Sequence, residues 1–182
     1  RAYGALGRDA EAEDMFQRAV NLRPGFWSNY NAWANYCLRR GKFDKAIELD
    51  TALAEAYSLR GDVRLSEEWD WEHAIRDAER AATLAPGSAD IATDYADILL
   101  SANQPDSAVA LVRHALAIEP ENVQNQFFLA NIFYNSGHRD SALKAGARAV
   151  QMDPTVPWVY WALMHANFDL GRKVIADSMA GL

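Results

Sequence analysis

The phrases Ala81-Ala82-Thr83-Leu84-Ala85-Pro86, Ala115-Leu116-Ala117-Ile118-Glu119-Pro120 and Ala149-Val150-Gln151-Met152-Asp153-Pro154 decide the fold, because their prolines follow one another at steps of 34 residues. Ala19-Val20-Asn21-Leu22-Arg23-Pro24 is a fourth copy of the same phrase. An alanine also stands twelve residues before each proline, at Ala12, Ala74, Ala108 and Ala142. A constant step of this length indicates an array of stacked structural repeats.

The composition agrees with an array of helices. The chain has 182 residues, of which 50% are hydrophobic, and it contains only six prolines. Lys and Arg number 18 against 25 Asp and Glu, which gives a formal charge of −7. This sign disfavours nucleic acid and anionic membranes as partners. A single cysteine excludes an intrachain disulfide, and no apolar run approaches the roughly 20 residues that span a bilayer.

These phrases resemble the tetratricopeptide repeat (TPR), a 34-residue helix–turn–helix unit. The family pattern has small residues at positions 8, 20 and 27, glycine near position 15 and proline at position 32. Small residues let two helices approach closely, glycine permits the tight turn between helix A and helix B, and proline ends helix B. The resemblance therefore implies an all-α fold, a right-handed superhelical solenoid of antiparallel helix pairs. The register divides the chain into a partial repeat over 1–26, repeats over 27–50, 51–86, 87–120 and 121–154, and a partial repeat over 155–182.

Two irregularities interrupt this register. Gly61 and Ala74 are 13 residues apart where the other repeats have 12 between the same positions. Pro24 and Pro86 are 62 residues apart where two repeats require 68, so about seven residues are lacking near 48–49. Either the second repeat has a short helix B or a segment is absent from this sequence, and we expect the second explanation. We also expect the chain to be a fragment of a larger protein.

In the family, helix A of each repeat lines a concave groove that binds an extended peptide or a partner helix. Chaperone-binding members hold a terminal carboxylate with basic residues, but the third and fourth repeats here have no basic residue at those positions. Instead Asp90, Asp94 and Asp97 share one face of a helix, and Asp62 lies on the preceding helix A. This acidic face predicts a site for a basic peptide segment, although it could equally serve as a solvated surface.

The second candidate zone is aromatic. The residues Trp158, Trp161, His165 and Phe168 recur at helical spacing on one face, and Phe127 and Tyr134 face the same groove from the fifth repeat. Exposed aromatic side chains of this kind anchor a partner, or else they pack against a further repeat, a capping helix or a second copy of the chain. Amide side chains that could bond a peptide backbone are Asn31, Asn35, Gln124, Asn131 and Asn135.

No pattern in the sequence predicts catalysis, a metal or a cofactor. The four histidines form no metal-binding pair, no phosphate-binding glycine motif is present, and Cys37 is expected to be a small buried residue. The phrase Glu68-Trp69-Asp70-Trp71-Glu72-His73-Ala74 resembles a Trp-Asp-Trp variant of the turn between helices A and B, found in bacterial TPR regions of regulators and nucleotide cyclases.

The chain is therefore expected to be a non-enzymatic scaffold that binds a protein or peptide of basic and apolar character, in the cytoplasm. Two alternatives stay open. One is a regulatory or self-association module of a signalling or transcription-regulating protein. The other is a substrate-presenting region of an enzyme whose catalytic domain lies elsewhere.

Overall fold

The computed structural model describes residues 9–157, Tyr160, Leu163 and Met164. Over these residues the chain forms nine α-helices and one π-helical turn, without a β-strand. The α-helices are α1 (Asp9–Leu22), α2 (Trp27–Leu38), α3 (Phe43–Leu49), α4 (Ala54–Val63), α5 (Trp71–Leu84), α6 (Ala89–Ser101), α7 (Pro105–Ile118), α8 (Val123–Asn135) and α9 (Arg139–Met152), and the π-helical turn is Arg64–Glu68. The all-α class predicted from the sequence is confirmed.

Consecutive helices pack as antiparallel pairs, in which α2, α4, α6 and α8 are the A helices and α3, α5, α7 and α9 are their B helices. Pro86, Pro120 and Pro154 each lie two residues beyond the end of a B helix. Proline has no N–H group to donate to a helical hydrogen bond, so it is suited to a position after the helix. The buried side chains form separate clusters shared by neighbouring repeats. This division is expected of a solenoid in which each repeat packs mainly against its neighbours.

Small residues occupy the contacts between paired helices. Ala34, Ala96 and Ala130 are fully buried on the A helices, and Gly61 takes the same place on α4. A Cβ atom on Gly61 would lie 3.2 Å from the Ala74 carbonyl oxygen, so glycine permits the close approach of α4 to α5. The B-helix alanines at positions 20 and 27 of the described third, fourth and fifth repeats are likewise fully buried.

The turns between helices A and B share one backbone feature. Each has a residue with positive φ five residues before the first B-helix alanine: Gly41 (70°), Trp69 (56°), Asn103 (60°) and Gly137 (80°). Glycine and asparagine tolerate this left-handed region, so three of the four residues suit their turn. Tryptophan does not, and Trp69 is the exception.

The extra residue of the third repeat is absorbed by the π-helical turn. The Gln104 amide, which follows the positive-φ residue of its turn, donates to the carbonyl five residues earlier, on Leu99. The equivalent Asp70 amide donates to the Arg64 carbonyl, six residues earlier, at 3.0 Å. The additional residue therefore widens the last turn of helix A, and α5 begins at its normal place.

Helix α3 has seven residues, whereas α5 has fourteen. In α5 the alanine at position 20, Ala74, donates its amide to the residue that caps the helix start. The alanine at position 27, Ala81, accepts from the residue beyond the helix end. In α3 a single alanine does both: the Ala46 amide donates to Lys42, and the Ala46 carbonyl accepts from Asp50. Ala46 thus combines positions 20 and 27, and α3 lacks the two turns between them.

A buried ion pair joins the two helices of the third repeat. Asp77 on α5 is 5% exposed, and its carboxylate accepts from Arg60 Nε at 2.8 Å and from Arg60 Nη2 at 2.7 Å. Arg64 Nη1 donates to the same carboxylate at 2.5 Å. Since two guanidinium groups surround one buried carboxylate, this contact fixes α4 and the π-helical turn against α5.

Candidate functional site

Helices α4 and α6 place the predicted acidic residues along two adjoining cavities. Ser88 caps the start of helix α6, and its side chain accepts a hydrogen bond from the Ile91 amide at 3.3 Å. Asp90, Asp94 and Asp97 follow one another at helical spacing on a single face of α6. Asp94 is half-buried, whereas the side chains of Asp90 and Asp97 are exposed.

Helix α4 adds Asp62 to this face. Asp62 is half-buried, and burial, followed by the charges of Asp94 and Asp97, raises its pKa from 3.8 to about 6. Burial also raises the pKa of Asp94, which is opposed by a hydrogen bond that Ser58 Oγ donates to Asp94 Oδ2 at 2.7 Å. Partial desolvation, followed by the charge of Asp94, raises the pKa of the Asp97 carboxyl group. The three carboxylates therefore repel one another in a place that water reaches incompletely.

These carboxylates line a cavity of about 420 Å³. Phe127 and Phe128 on α8 line the same cavity. We call this cavity the acidic cleft; its principal lining residues are Asp62, Leu65, Asp94, Asp97, Phe127 and Phe128. A cleft lined by both carboxylates and aromatic rings suits a group that is cationic at its tip and apolar along its stem.

A second cavity, of about 590 Å³, lies next to the acidic cleft on the same face. Leu53, Leu59 and Ile91 line this upper cavity, and Asp94 lines both cavities. The Leu59 side chain is 41% exposed, so the upper cavity offers apolar surface to a ligand. The upper cavity therefore combines apolar surface with three carboxylates, those of Glu55, Asp90 and Asp94, and it shares Asp94 with the acidic cleft.

Four of the five predicted amide residues form two intrahelical pairs, and the fifth, Gln124, lines the acidic cleft. Asn35 Nδ2 donates to the Asn31 carbonyl oxygen at 2.9 Å on α2, and Asn135 Nδ2 donates to Asn131 Oδ1 at 2.7 Å on α8. Asn35 lines the upper cavity. Part of the hydrogen-bonding capacity of these amides is thus used within their own helices, which lowers the number of groups they can offer to a peptide backbone.

The structure brings some of the predicted aromatic residues into the groove and separates others. Phe127 lines the acidic cleft. The guanidinium group of Arg139 lies over the ring of the half-buried Tyr134, with Arg139 Cζ 4.5 Å from the ring centroid. The remaining predicted aromatic-zone residues, Trp158, Trp161, His165 and Phe168, lie outside the described residues.

Several residues that line the acidic cleft are not among the predicted site residues, and Phe128 and Leu65 are two of them. Phe128 directly follows a predicted residue, and its aromatic character was a signal that sequence analysis could have used. Leu65 enters the acidic cleft from the π-helical turn, so its place depends on how the extra residue of the third repeat is accommodated. The spacing between Gly61 and Ala74 shows the insertion but not its conformation.

The described residues show no arrangement for metal chemistry. Over this part of the chain, no group of three or more His, Cys, Asp or Glu side chains could hold a metal ion. Cys37 is fully buried, as predicted, and burial raises the pKa of its thiol. None of the helices in the described part has both the length and the apolar character needed to cross a membrane.

Comparison with known proteins identifies the repeat. The tetratricopeptide repeat family matches residues 65–121 and 99–148, and a second match to the same repeat covers residues 1–26. No curated protein sequence matches the chain.

Solved structures share the fold. YrrB, described as a TPR protein with an unusual peptide-binding site, is 22% identical, with a TM-score of 0.67 over 87% of this chain and 85% of that chain. MamA is 21% identical, with a TM-score of 0.65 over 85% of this chain and 94% of that chain. A thermophilic TPR protein of Thermus thermophilus is 22% identical, with a TM-score of 0.58 over 92% of this chain and 94% of that chain. The repeat matches and the solenoid fold agree with the helix pairs described above, and the chain belongs to the tetratricopeptide-repeat family.

Proposed function

We propose that this chain is a protein-interaction scaffold whose concave groove holds an extended peptide or a partner helix, and that the acidic cleft receives a lysine or arginine side chain of that partner. The observation that carries the proposal is that Asp62, Asp94 and Asp97 line one cavity together with Phe127 and Phe128. The fold shared with YrrB, itself described as having a peptide-binding site, supports the scaffold function.

Charge is the first argument for a cationic ligand. Asp62 keeps its proton up to a pH of about 6 because it is half-buried beside two other carboxylates. A cation between these groups would replace repulsion by attraction and would favour the ionised form of Asp62. Since the site is partly desolvated, such a charge pair contributes more than it would on an open surface.

The aromatic lining of the cleft is the second argument. Lysine and arginine have apolar stems that pack on apolar surface while the charged end stays close to carboxylates. Phe127 and Phe128 offer such a surface, and a guanidinium or ammonium group over an aromatic ring gains about 0.5–1 kcal/mol at an exposed site. We therefore expect the cleft to prefer a basic side chain to a small cation, which would contact the carboxylates alone.

The upper cavity extends the proposal along the groove. Leu53, Leu59 and Ile91 fit an apolar side chain of the partner. Asp94 borders both cavities, so the two side chains of the partner would lie close together along its chain. We therefore propose a partner segment that carries a basic and an apolar residue near each other.

A separate aromatic contact also remains part of the proposal. Its predicted residues are Trp158, Trp161, His165 and Phe168. The variant Trp161→Ala tests them. The proposal assigns no catalytic step to the chain and takes the cytoplasm as its location.

Selection from a random peptide display library, with the full chain as target, tests the proposed function. The expected result is enrichment of peptides that contain lysine or arginine near an apolar residue. Synthetic copies of these peptides are then titrated against the wild type, Asp94→Asn and Asp94→Lys. We expect affinity to fall about tenfold in the first variant and further in the second, as loss of a partly desolvated charge pair implies.

The control for this titration is Asp106→Asn, which makes the same charge change at an exposed residue of helix B of the fourth repeat. Its affinity should equal that of the wild type. Enrichment of acidic or uncharged peptides, or equal affinity of Asp94→Lys and the wild type, would show that the acidic cleft does not take a basic residue.

A further inference from the structure

The turn between α4 and α5 carries a tryptophan where the other turns of the array have glycine or asparagine. Trp69 has φ 56° and ψ 28°, the left-handed helical conformation. Gly41, Asn103 and Gly137 have the same sign of φ at the equivalent place. For a bulky residue this conformation is unfavourable, so the requirements of the turn do not explain a tryptophan.

Packing does not explain it either. The Trp69 side chain is 70% exposed, and Trp71, two residues later, is 36% exposed. By contrast, Trp33 is 5% exposed inside a core cluster. Trp69 and Trp71 lie with their ring centroids 6.1 Å apart and their planes at 60°. The turn thus exposes a pair of adjoining indole rings.

The backbone of the turn is held firmly by Asp70, which lies between the two tryptophans. Its amide donates to the Arg64 carbonyl at 3.0 Å, and its carboxylate accepts from the His73 amide at 3.2 Å. The same carboxylate contacts His73 Nδ1 at 2.7 Å. Because both sides of Asp70 are bonded, the rings are presented in a defined place, which lowers the entropy lost when a ligand binds them.

The surroundings of the rings are acidic. Four carboxylates lie within residues 67–72, and two of them, Glu72 and Asp70, pair with the nearby Arg76 and His73. Glu67 and Glu68 are exposed beside the rings. Exposed indole faces with surrounding carboxylates complement a cationic side chain, since the ring face and the carboxylates both attract positive charge.

We propose that Trp69 and Trp71 form a contact site for an arginine or lysine side chain of a partner protein, distinct from the acidic cleft. The two sites are neighbours, because Leu65 and Ser66 of the same π-helical turn line the cleft. One partner could therefore cover both, but the tryptophan site rests on its own residues and does not require the cleft to be occupied.

Titration with a small probe tests this site on the full chain. The probe is a blocked Gly-Arg-Gly-Arg-Gly peptide, and the control peptide has the neutral isostere citrulline in place of arginine. Indole Nε1–H signals are followed by NMR and assigned with Trp69→Phe and Trp71→Phe. We expect both signals to shift saturably, with an affinity about fivefold higher for the arginine peptide than for the citrulline peptide, the ratio that an exposed cation–π contact implies.

Two variants make the test specific. In Trp69→Gly, the Trp71 signal should no longer shift, while the melting temperature stays within about 3 °C of the wild type because the side chain is mostly exposed. In Asp94→Asn, which disables the acidic cleft, the shifts of both tryptophans should persist. If the display experiment shows that the acidic cleft takes no basic residue, the proposal for Trp69 and Trp71 is unaffected. If the NMR titration fails, the proposal for the acidic cleft is likewise unaffected.

Equal affinity for the two peptides would overturn the proposal, as would an unchanged Trp71 shift in Trp69→Gly or loss of the shifts in Asp94→Asn. A large fall in melting temperature for Trp69→Gly would show that the ring is structural. Light scattering provides the last test: self-association that Trp69→Gly abolishes would identify a second copy of the chain as the occupant and would also overturn the proposal.

Discussion

Ser58 on α4 and Asp94 on α6 are joined by a hydrogen bond of 2.7 Å from the serine Oγ to the carboxylate Oδ2. This bond connects the A helices of consecutive repeats, and it supplies a donor to a half-buried carboxylate. It also opposes the effect of burial on the pKa of Asp94. One contact therefore contributes both to the stacking of the repeats and to the charge of the groove.

The variant Ser58→Ala should lower the free energy of unfolding at pH 7 by about 1–2 kcal/mol, because an ionised, half-buried carboxylate loses its donor. The loss should shrink as pH falls and Asp94 is protonated, since its pKa is raised. Urea denaturation at pH 7 and pH 4 measures both values. Ser107→Ala, at an exposed residue, is the control and should change stability by less than about 0.5 kcal/mol. An equal loss at both pH values would contradict the assignment.

The variant Asp62→Asn should stabilise the folded chain at pH 7 by on the order of 1 kcal/mol, after allowance for solvent screening of a half-buried group. The pKa of Asp62 is raised from 3.8 to about 6, so the folded state binds its proton more tightly than the unfolded state. Asp62 therefore costs no stability below pH 3.8 and lowers stability as pH rises toward 6. The gain from the variant should appear over this range and vanish at pH 3, as measured by urea titration. A gain that persists at pH 3 would point to another cause.

Binding of a basic peptide to the acidic cleft should depend on the same proton. Affinity should fall as pH drops through about 6, because protonated Asp62 no longer attracts a cation. In Asp62→Asn this part of the pH dependence should disappear, with lower affinity at pH 7. Calorimetric titration of a peptide from the display selection at pH 5 and pH 7 provides the measurement, with Asp106→Asn as the control. Parallel pH profiles of Asp62→Asn and the wild type would exclude Asp62 as the titrating group.

The buried carboxylate of Asp77 should be among the most sensitive residues for stability. Asp77→Ala leaves Arg60 and Arg64 without their buried partner and should cost about 3–5 kcal/mol. Asp44 also accepts a hydrogen bond from Arg60, at 2.6 Å, but its side chain is 81% exposed. Asp44→Ala should therefore cost less than about 1 kcal/mol. Urea denaturation compares the two, and similar losses would mean that burial does not decide the strength of this ion pair.

Trp69→Gly should change the free energy of unfolding by less than about 1 kcal/mol, since relief of the left-handed backbone offsets the small packing loss. The reverse change in the equivalent turn, Gly137→Trp, should cost about 1–2 kcal/mol. Trp33→Ala, in a core cluster, should cost about 3–5 kcal/mol. Thermal and urea unfolding of the three variants tests this order, and a loss for Trp69→Gly comparable to that of Trp33→Ala would show a structural tryptophan.

The helical repeats could be predicted from the sequence because each repeat needs the same small residues at the same spacing. The prolines after α5, α7 and α9 mark the helix ends, and the buried alanines confirm the close approach of paired helices. The grouping of Asp90, Asp94 and Asp97 also follows from helical spacing alone.

The rest of the site depends on contacts between repeats, which spacing does not determine. An inserted residue before α5 could have lengthened the loop, and only the fold shows that it widens the last helical turn and brings Leu65 into the acidic cleft. The raised pKa of Asp62 depends on how far Asp94 and Asp97 approach it across the groove. Likewise, the hydrogen bond that Asn35 donates to the Asn31 carbonyl oxygen depends on the side-chain rotamer rather than on the spacing of the two residues.

Because helix α3 is short, it contributes smaller contacts to the array than the other B helices do. A seven-residue helix is about 10 Å shorter than its fourteen-residue counterparts, and one alanine, Ala46, makes the close contacts that two make elsewhere. In a solenoid each repeat is stabilised mainly by its contacts with its neighbours, so local unfolding is expected to begin at the smallest interface between repeats. Backbone amides of α1–α3 should therefore exchange with deuterium as one group, ahead of those in α5–α9. We then expect the repeats on either side of Ala46 to unfold as two separate units. The groove lies almost wholly in the more stable of the two.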